Sequence, residues 1–318
     1  MTMSDLAGAL RESRGFAHKR DIGDAMRALG AQAVGTGDDT AAIPDGDGWL
    51  LFAIEGFVAD FVATMPWFAG WCGVMVNVSD IAAMGGRPVA VVDAVWSRGA
   101  EGSVQVMAGM AAASERYGVP VVGGHSNHRA HESQLAVAIV GRAKRLLTSF
   151  DARPGHDLVM AIDLRGAYQE PHPYWNAATE APADRLRGDL EVLPAIAEAG
   201  LCGAAKDISM AGAAGTALML LECSRAGAVI DVDAIPRPPG VPLARWLLSF
   251  PSFGFVLSVD RAHTGEVLAR FAARDIAAAV VGRVDDSRRV TLRSGPDEAE
   301  LWDLRSTPFI LPGAPAHA

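Results

Sequence analysis

Cysteine is scarce in this sequence, and positive charge is outweighed by negative. The three cysteines among 318 residues, Cys72, Cys202 and Cys223, stand far apart and form no C-x-x-C pair. A disulfide framework or a structural zinc site is therefore not expected, and a reducing, cytoplasmic setting is. Lys and Arg number 28 against 37 Asp and Glu, for a net charge of -9. Such a chain lacks the basic field that holds nucleic acid or an anionic membrane, so neither is expected as a partner. A phosphate ligand remains open, because a bound magnesium ion supplies positive charge locally. The opening MTMSDLAGALRES has no basic start followed by an apolar stretch, so no signal peptide is read. One uncharged run, Phe61 to Val78, imitates a membrane span. It contains Pro66, Gly70, Gly73 and Asn77 and runs into Ser79-Asp80. A buried helix with Pro66 in its first turn is the expectation.

Half of the residues are hydrophobic and 20% are charged, which suits a large packed core. The length fits two domains, with a junction near residue 150 at the polar turn Asp151-Ala152-Arg153-Pro154-Gly155-His156-Asp157. Residues 1–150 and 151–318 are the expected domains. In the first, helical spacing covers Met1 to Gly35, and Pro44-Asp45-Gly46-Asp47-Gly48 has hairpin chemistry before a strand at Trp49–Ile54. The apolar helix stops at Gly85-Gly86-Arg87-Pro88. A strand at Val89–Val95, a helix at Val104–Tyr117 closed by Gly118, and strands ending at Gly123-Gly124 and Arg142 follow. The second half alternates strands and helices, so the class is α/β (α+β). The Pro-rich tail Ser306–Ala318 is expected to be loosely held.

Four segments carry chemistry. Gly37-Asp38-Asp39-Thr40 places two carboxylates side by side, which repel unless a cation or solvent relieves them; it also reads as a solvated turn. Asn77, Ser79 and Asp80 interrupt the apolar helix. Asn77 and Asp80, three apart, share a face where an unpartnered carboxylate would be costly to bury. Gly123-Gly124-His125 ends a strand in glycines that allow close backbone approach, with His125 open to phosphate binding or proton transfer. Lys206-Asp207-Ile208-Ser209 precedes a helix, where it suits an anion or a cap equally. The aromatic and polar stretch Tyr168–Trp175 (YQEPHPYW) reads as a lid or substrate-contact loop, or as plain surface.

In order, G-D-D, N-V-S-D-I-A-A-M-G-G-R-P, G-G-H, R-P-G-H-D-L and K-D-I-S resemble the superfamily of aminoimidazole ribonucleotide (AIR) synthetase, thiamine-monophosphate kinase, selenophosphate synthetase and the hydrogenase maturation dehydratase HypE. The resemblance runs roughly from Val34 to Val284. It is closest to the AIR synthase-related branch that includes methanogenesis marker proteins. It implies a PurM-like two-domain subunit. The N-terminal domain would add strands to a β-barrel shared across a homodimer, and the C-terminal domain would be an α+β sandwich. It implies ATP held with magnesium. By motif position, the metal ligands would be Asp38, Asp39, Glu55 and Asp80. The nucleotide would meet Gly37, Asp38, Asn77, Asp80, Gly123, Gly124 and Asp207.

Two departures stand out. His125 replaces the aspartate of G-G-D, and Ser209-Met210-Ala211 replaces S-D-G, so two carboxylates are missing. The reactive N-terminal cysteine or selenocysteine of the selenophosphate enzymes and the C-terminal cysteine of HypE have no counterpart here. The expected function is ATP- and magnesium-dependent phosphorylation or activation of an oxygen on a small substrate, with His125 and Lys206 as candidate catalytic residues. Thiamine-monophosphate kinase is the runner-up. A nucleotide- or partner-binding protein without turnover is the rival of a different class.

Overall fold

The computed structural model describes residues 1–29 and 36–311. Two helices open the chain, α1 (Met3–Arg11) and α2 (Arg14–Leu29). The Thr2 hydroxyl accepts the Asp5 amide and the Asp5 carboxylate accepts the Thr2 amide, a reciprocal cap that starts α1. The stretch expected to be helical over Met1–Gly35 is occupied by these two helices as far as Leu29, and residues 30–35 lie outside those described. The hairpin of β1 (Ala41–Asp45) and β2 (Gly48–Phe57) turns at Gly46-Asp47, where Gly46 takes a φ of 64°. Then come α3 (Ala59–Thr64), α4 (Pro66–Ala83), β3 (Arg87–Arg98), α5 (Glu101–Tyr117), β4 (Val121–Asn127) and β5 (Arg129–Ala143).

The second half holds β6 (Asp157–Ile162), β7 (Ala167–Tyr168), β8 (Tyr174–Asn176), α6 (Ala183–Leu190), α7 (Val192–Glu198), β9 (Ala204–Asp207) and α8 (Gly212–Cys223). It continues with β10 (Gly227–Asp231), α9 (Leu243–Trp246), β11 (Phe250–Pro251), β12 (Gly254–Val259) and α10 (Thr264–Ala272). Strand β13 (Ala277–Asp285) and the hairpin of β14 (Arg289–Ser294) and β15 (Asp297–Asp303) end it. Two compact units result. One comprises Asp39–Leu146 and Ala178–Glu198; the other comprises Met1–Asp38, Leu147–Ala177 and Ala199–Ala318.

The first unit is built on a five-stranded open sheet in the order β1-β2-β5-β3-β4. Its pairs are antiparallel except β3 with β4, which run parallel because α5 carries the chain back between them. Helix α4 covers one face, and every residue from Phe68 to Ala83 is buried. Pro66 opens α4 as expected, since its first turn needs no N–H from it. Helices α4 and α5 cross backbone to backbone. A Cβ at Gly70 would sit 1.9 Å from the Val106 carbonyl oxygen, and one at Gly109 would sit 1.9 Å from that of Trp67. The Arg187 guanidinium of α6 caps the carbonyls of Glu115 and Arg116 at the end of α5, at 2.6 and 3.0 Å. Arg87 pairs with both Glu191 and Glu198, fixing the start of β3 to α7 and the residue before it.

The other unit has a seven-stranded mixed sheet, β15-β14-β10-β13-β6-β12-β9, and a small sheet, β11-β8-β7. Its core gathers Leu6, Leu10 and Phe16 with Leu158, Met160, Ile162 and the apolar residues of α8. All twelve residues of α8 are buried, as suits a helix apolar on every side. The tail departs from expectation over residues 309–311. Phe309 and Ile310 are 2% exposed, and the Glu222 carboxylate accepts the backbone N–H groups of Phe309, Ile310 and Leu311. The gain from burying two large apolar side chains outweighs the tail's chain entropy there. Residues 312–318 lie outside those described. No helix among the described residues is long and apolar enough to cross a membrane.

Because no backbone atom can yield at the crossing of α4 and α5, Gly109→Ala should lower the unfolding free energy by about 2 kcal/mol or more. Urea denaturation against wild type checks this. Equal stability would mean that the two helices part without cost.

Candidate functional site

In the five-stranded unit the candidate polar residues gather on the covered face of the sheet. Asn77 is 0% exposed, and its Nδ2 donates to the Gly73 and Val137 carbonyls at 2.8 and 3.0 Å. Two acceptors on the nitrogen fix which way the amide faces. Its Oδ1 is left buried with no hydrogen-bond partner among the described residues. The Thr40 hydroxyl is in the same state, one residue after Asp39. Orphaned buried acceptors are costly and call for a donor, a water or a cation. Asp80, 5% exposed and one turn beyond Asn77, brings a carboxylate oxygen within 4.8 Å of one from half-buried Asp39. This all-oxygen donor set fits a hard cation such as magnesium, and no histidine or cysteine takes part in it.

The other expected ligands divide. Glu55 pairs with Val137 across β2 and β5 and so shares the covered face, half-exposed, but it does not join the gathering of Asp39 and Asp80. Asp38 belongs to the other unit, where its Oδ1 accepts the Ser149 N–H at 2.7 Å. It anchors a turn there.

Gly123, Gly124 and His125 lie within β4, which continues to Asn127. Neighbours on a strand face opposite ways. Gly124 pairs with Asp93, and a Cβ on it would lie 2.4 Å from the Asp93 Oδ2, so that face is the inner one. His125 pairs with Ala94 and stands beside Trp96, with ring centroids 6.3 Å apart, on the outer face. Within this unit His125 is therefore not brought to Asn77 and Asp80. Reading Gly123-Gly124-His125 as the end of a strand hid the alternation that separates its members.

Asp93 was missed in the sequence. It is 8% exposed in β3, and burial raises its carboxyl above the ordinary range. The available signal was a lone aspartate inside the apolar run Val89–Val95, where strands rarely hold one.

In the seven-stranded unit, Lys206 and Asp207 end β9, each 4% exposed. The Lys206 ammonium donates to the Gly37 carbonyl at 3.3 Å and lies 3.4 Å from the Ser149 hydroxyl. It therefore braces the turn that leads to Asp38. Gly37 has a φ of 118°, and a Cβ there would stand 2.9 Å from the Cys223 sulfur. The stretch Tyr168–Trp175 is a hairpin fixed to the core. Trp175 is buried and donates to the Asp163 carbonyl, Tyr168 shares a 2.7 Å hydrogen bond with Ser249, and Arg245 lies 3.6 Å over the Tyr168 ring.

Residues 37–143 match the model of the AIR synthase related protein N-terminal domain, and residues 168–295 match its C-terminal domain. The chain belongs to the AIR synthase related family. It is 47% identical over 314 residues to the uncharacterized protein sll0787 of Synechocystis sp., covering 96% of this chain and 98% of that one. It is 29% identical to thiamine-monophosphate kinase of Pyrococcus horikoshii, covering 81% of this chain and 85% of the kinase. A solved structure of T. maritima PurL complexed with ADP superposes with a TM-score of 0.78 at 20% identity, covering 98% of this chain and 52% of PurL. The fold is thus that of the PurM-like proteins.

Asp93 should make the stability of this protein depend on pH in a defined direction. Its raised carboxyl holds a proton in the folded state that the unfolded chain releases, so stability should fall as pH rises from the ordinary carboxyl value toward that of Asp93. Asp93→Asn should flatten this part of the profile and exceed wild type in stability above it. Denaturant titrations between about pH 4 and pH 7, without metal or nucleotide, test this. Parallel profiles for the two proteins would show that Asp93 does not carry the slope.

Proposed function

We propose that this protein binds ATP with magnesium and phosphorylates or activates an oxygen of a small-molecule substrate. The observation that carries the reading is the pairing of Asp39 and Asp80 oxygens in one unit, beside the orphaned Oδ1 of Asn77 on an apolar helix. An acidic chain that binds a polyphosphate needs a cation between like charges, and these are oxygen ligands of the kind magnesium takes. Magnesium, when bound, offsets the charge on the phosphate oxygens. Asp39 and Asp80 would hold it, and the Asn77 oxygen would take a donor from bound water or ligand. Gly123 and Gly124 would let backbone approach phosphate, with Gly124 kept bare by Asp93. The relatives named thiamine-monophosphate kinase and selenide, water dikinase lend the reading support by analogy.

A non-catalytic nucleotide binder is the second reading, favoured by the placement of His125 on the outer sheet face and by Met210 at an expected carboxylate. The three buried free thiols support a cytoplasmic setting.

Calorimetric titration of ATP into wild type and Asp80→Asn, with and without magnesium, tests the site. Magnesium-dependent binding weakened about tenfold by the substitution (about 1.4 kcal/mol) is expected. Absence of binding to wild type under both conditions would remove the ATP assignment. Binding without ADP release across a panel of hydroxyl, carboxylate, amide and phosphate substrates would favour the second reading.

The partner we propose is a second copy. The outer face of the five-stranded sheet exposes Phe52 at 50%, Ile54 at 65% and Val92 at 41%. Phe52 lies opposite Val140, and Ile54 and Val92 flank Ala138, so the apolar surface is continuous across three strands. Ile54→Asp should turn a dimer into a folded monomer in light scattering. A monomeric wild type at working concentration would end the proposal.

A further inference from the structure

Glu222 is a buried carboxyl of the seven-stranded unit that the proposed chemistry leaves unused. It lies in the last turn of α8 at 7% exposure, where the helix dipole disfavours a negative charge, and burial raises its carboxyl above the usual range. Three consecutive backbone N–H groups converge on it, those of Phe309 and Ile310 at 2.6 and 2.7 Å and that of Leu311 at 3.3 Å. Such a run of N–H groups forms a concavity that matches an anion.

The residues this contact holds reach the turn that carries the first aspartates. The Leu311 side chain lies 3.6 Å from where a Cβ of Gly37 would stand, with Phe150 at 3.9 Å. Cys223, the neighbour of Glu222 on α8, lies against the same glycine, its thiol 3.6 Å from the Gly37 carbonyl. That carbonyl also accepts from Lys206, and the next residue, Asp38, is tied to Ser149. Gly37 is thus enclosed by α8 on one hand and by the tail that α8 holds on the other.

We propose that Glu222 is a positioning residue for the Gly37-Asp38 turn: by gathering the N–H groups of residues 309–311 it seats Leu311 against Gly37 and fixes the turn from which Asp38 and Asp39 project. The consequence for nucleotide affinity rests on the magnesium–ATP reading above. The consequence for the turn itself does not.

The test compares wild type, Glu222→Gln and Leu311→Ala by amide hydrogen exchange and by magnesium–ATP titration. In Glu222→Gln, the amides of residues 309–311 and those of residues 37–39 should exchange about tenfold faster. Affinity should fall about fivefold. Leu311→Ala should speed exchange at residues 37–39 and weaken binding while the Phe309 amide stays protected, because Glu222 still holds it. Faster exchange confined to the tail, with the turn and the affinity unchanged, would overturn the proposal and leave Glu222 a simple anchor. Should Glu222→Gln fail to fold, Leu311→Ala decides by the same readings. Should wild type not bind magnesium–ATP, the functional reading fails, and exchange at residues 37–39 alone decides the positioning role.

Discussion

The five-stranded unit depends on burying polar side chains of α4 against β5 without losing the hydrogen bonds they need. Asn77 does this by giving its amide N–H groups to a carbonyl of its own helix and to the Val137 carbonyl of β5. The helix can sit this close because Gly73 faces Val137 and Leu135, and Gly141 faces Ile81. The same contacts that pack α4 therefore aim Asn77 and hold Asp80 one turn further on. Apolar packing and a polar site are here one arrangement, since shifting the helix along the sheet would break both.

The sheet assigns its two faces to different tasks. Strand alternation sends Asp93 and Gly124 to the side covered by α4, and sends Ala94 and His125 to the other. A one-residue slip in β4 would exchange Gly124 and His125 between the faces. The inner face keeps the polar side chains of Asn77, Asp80 and Asp93 buried. The outer face is apolar across β2, β5 and β3, a surface with little to gain from water.

In the seven-stranded unit the turn at Gly37 is held by parts distant in the chain. Lys206 comes from a strand, Cys223 from a helix, Ser149 from a connecting loop and Leu311 from the tail. Each contact is modest. Together they enclose a glycine that has no room for a side chain.

Much of this was legible in the sequence. Pro66, Gly85-Gly86 and Gly118 marked helix ends because their backbone chemistry is local. The Asp45–Gly48 hairpin followed from turn residues, and the motif order carried the family. Asn77 and Asp80 stood out because polar groups inside an apolar helix demand a partner wherever that helix lies. What the sequence could not decide was which distant groups meet. Asp93 becomes notable only once Gly124 lies beside it, and Glu222 only once the tail returns to it. Asp38 and Asp39 look equivalent until one is tied to Ser149 and the other stands by Asp80. Composition and local conformational preference determined the elements and the chemistry on offer. Strand register and tertiary packing alone decided which side chains share a face, because the distances that set those contacts run across the fold and not along the chain.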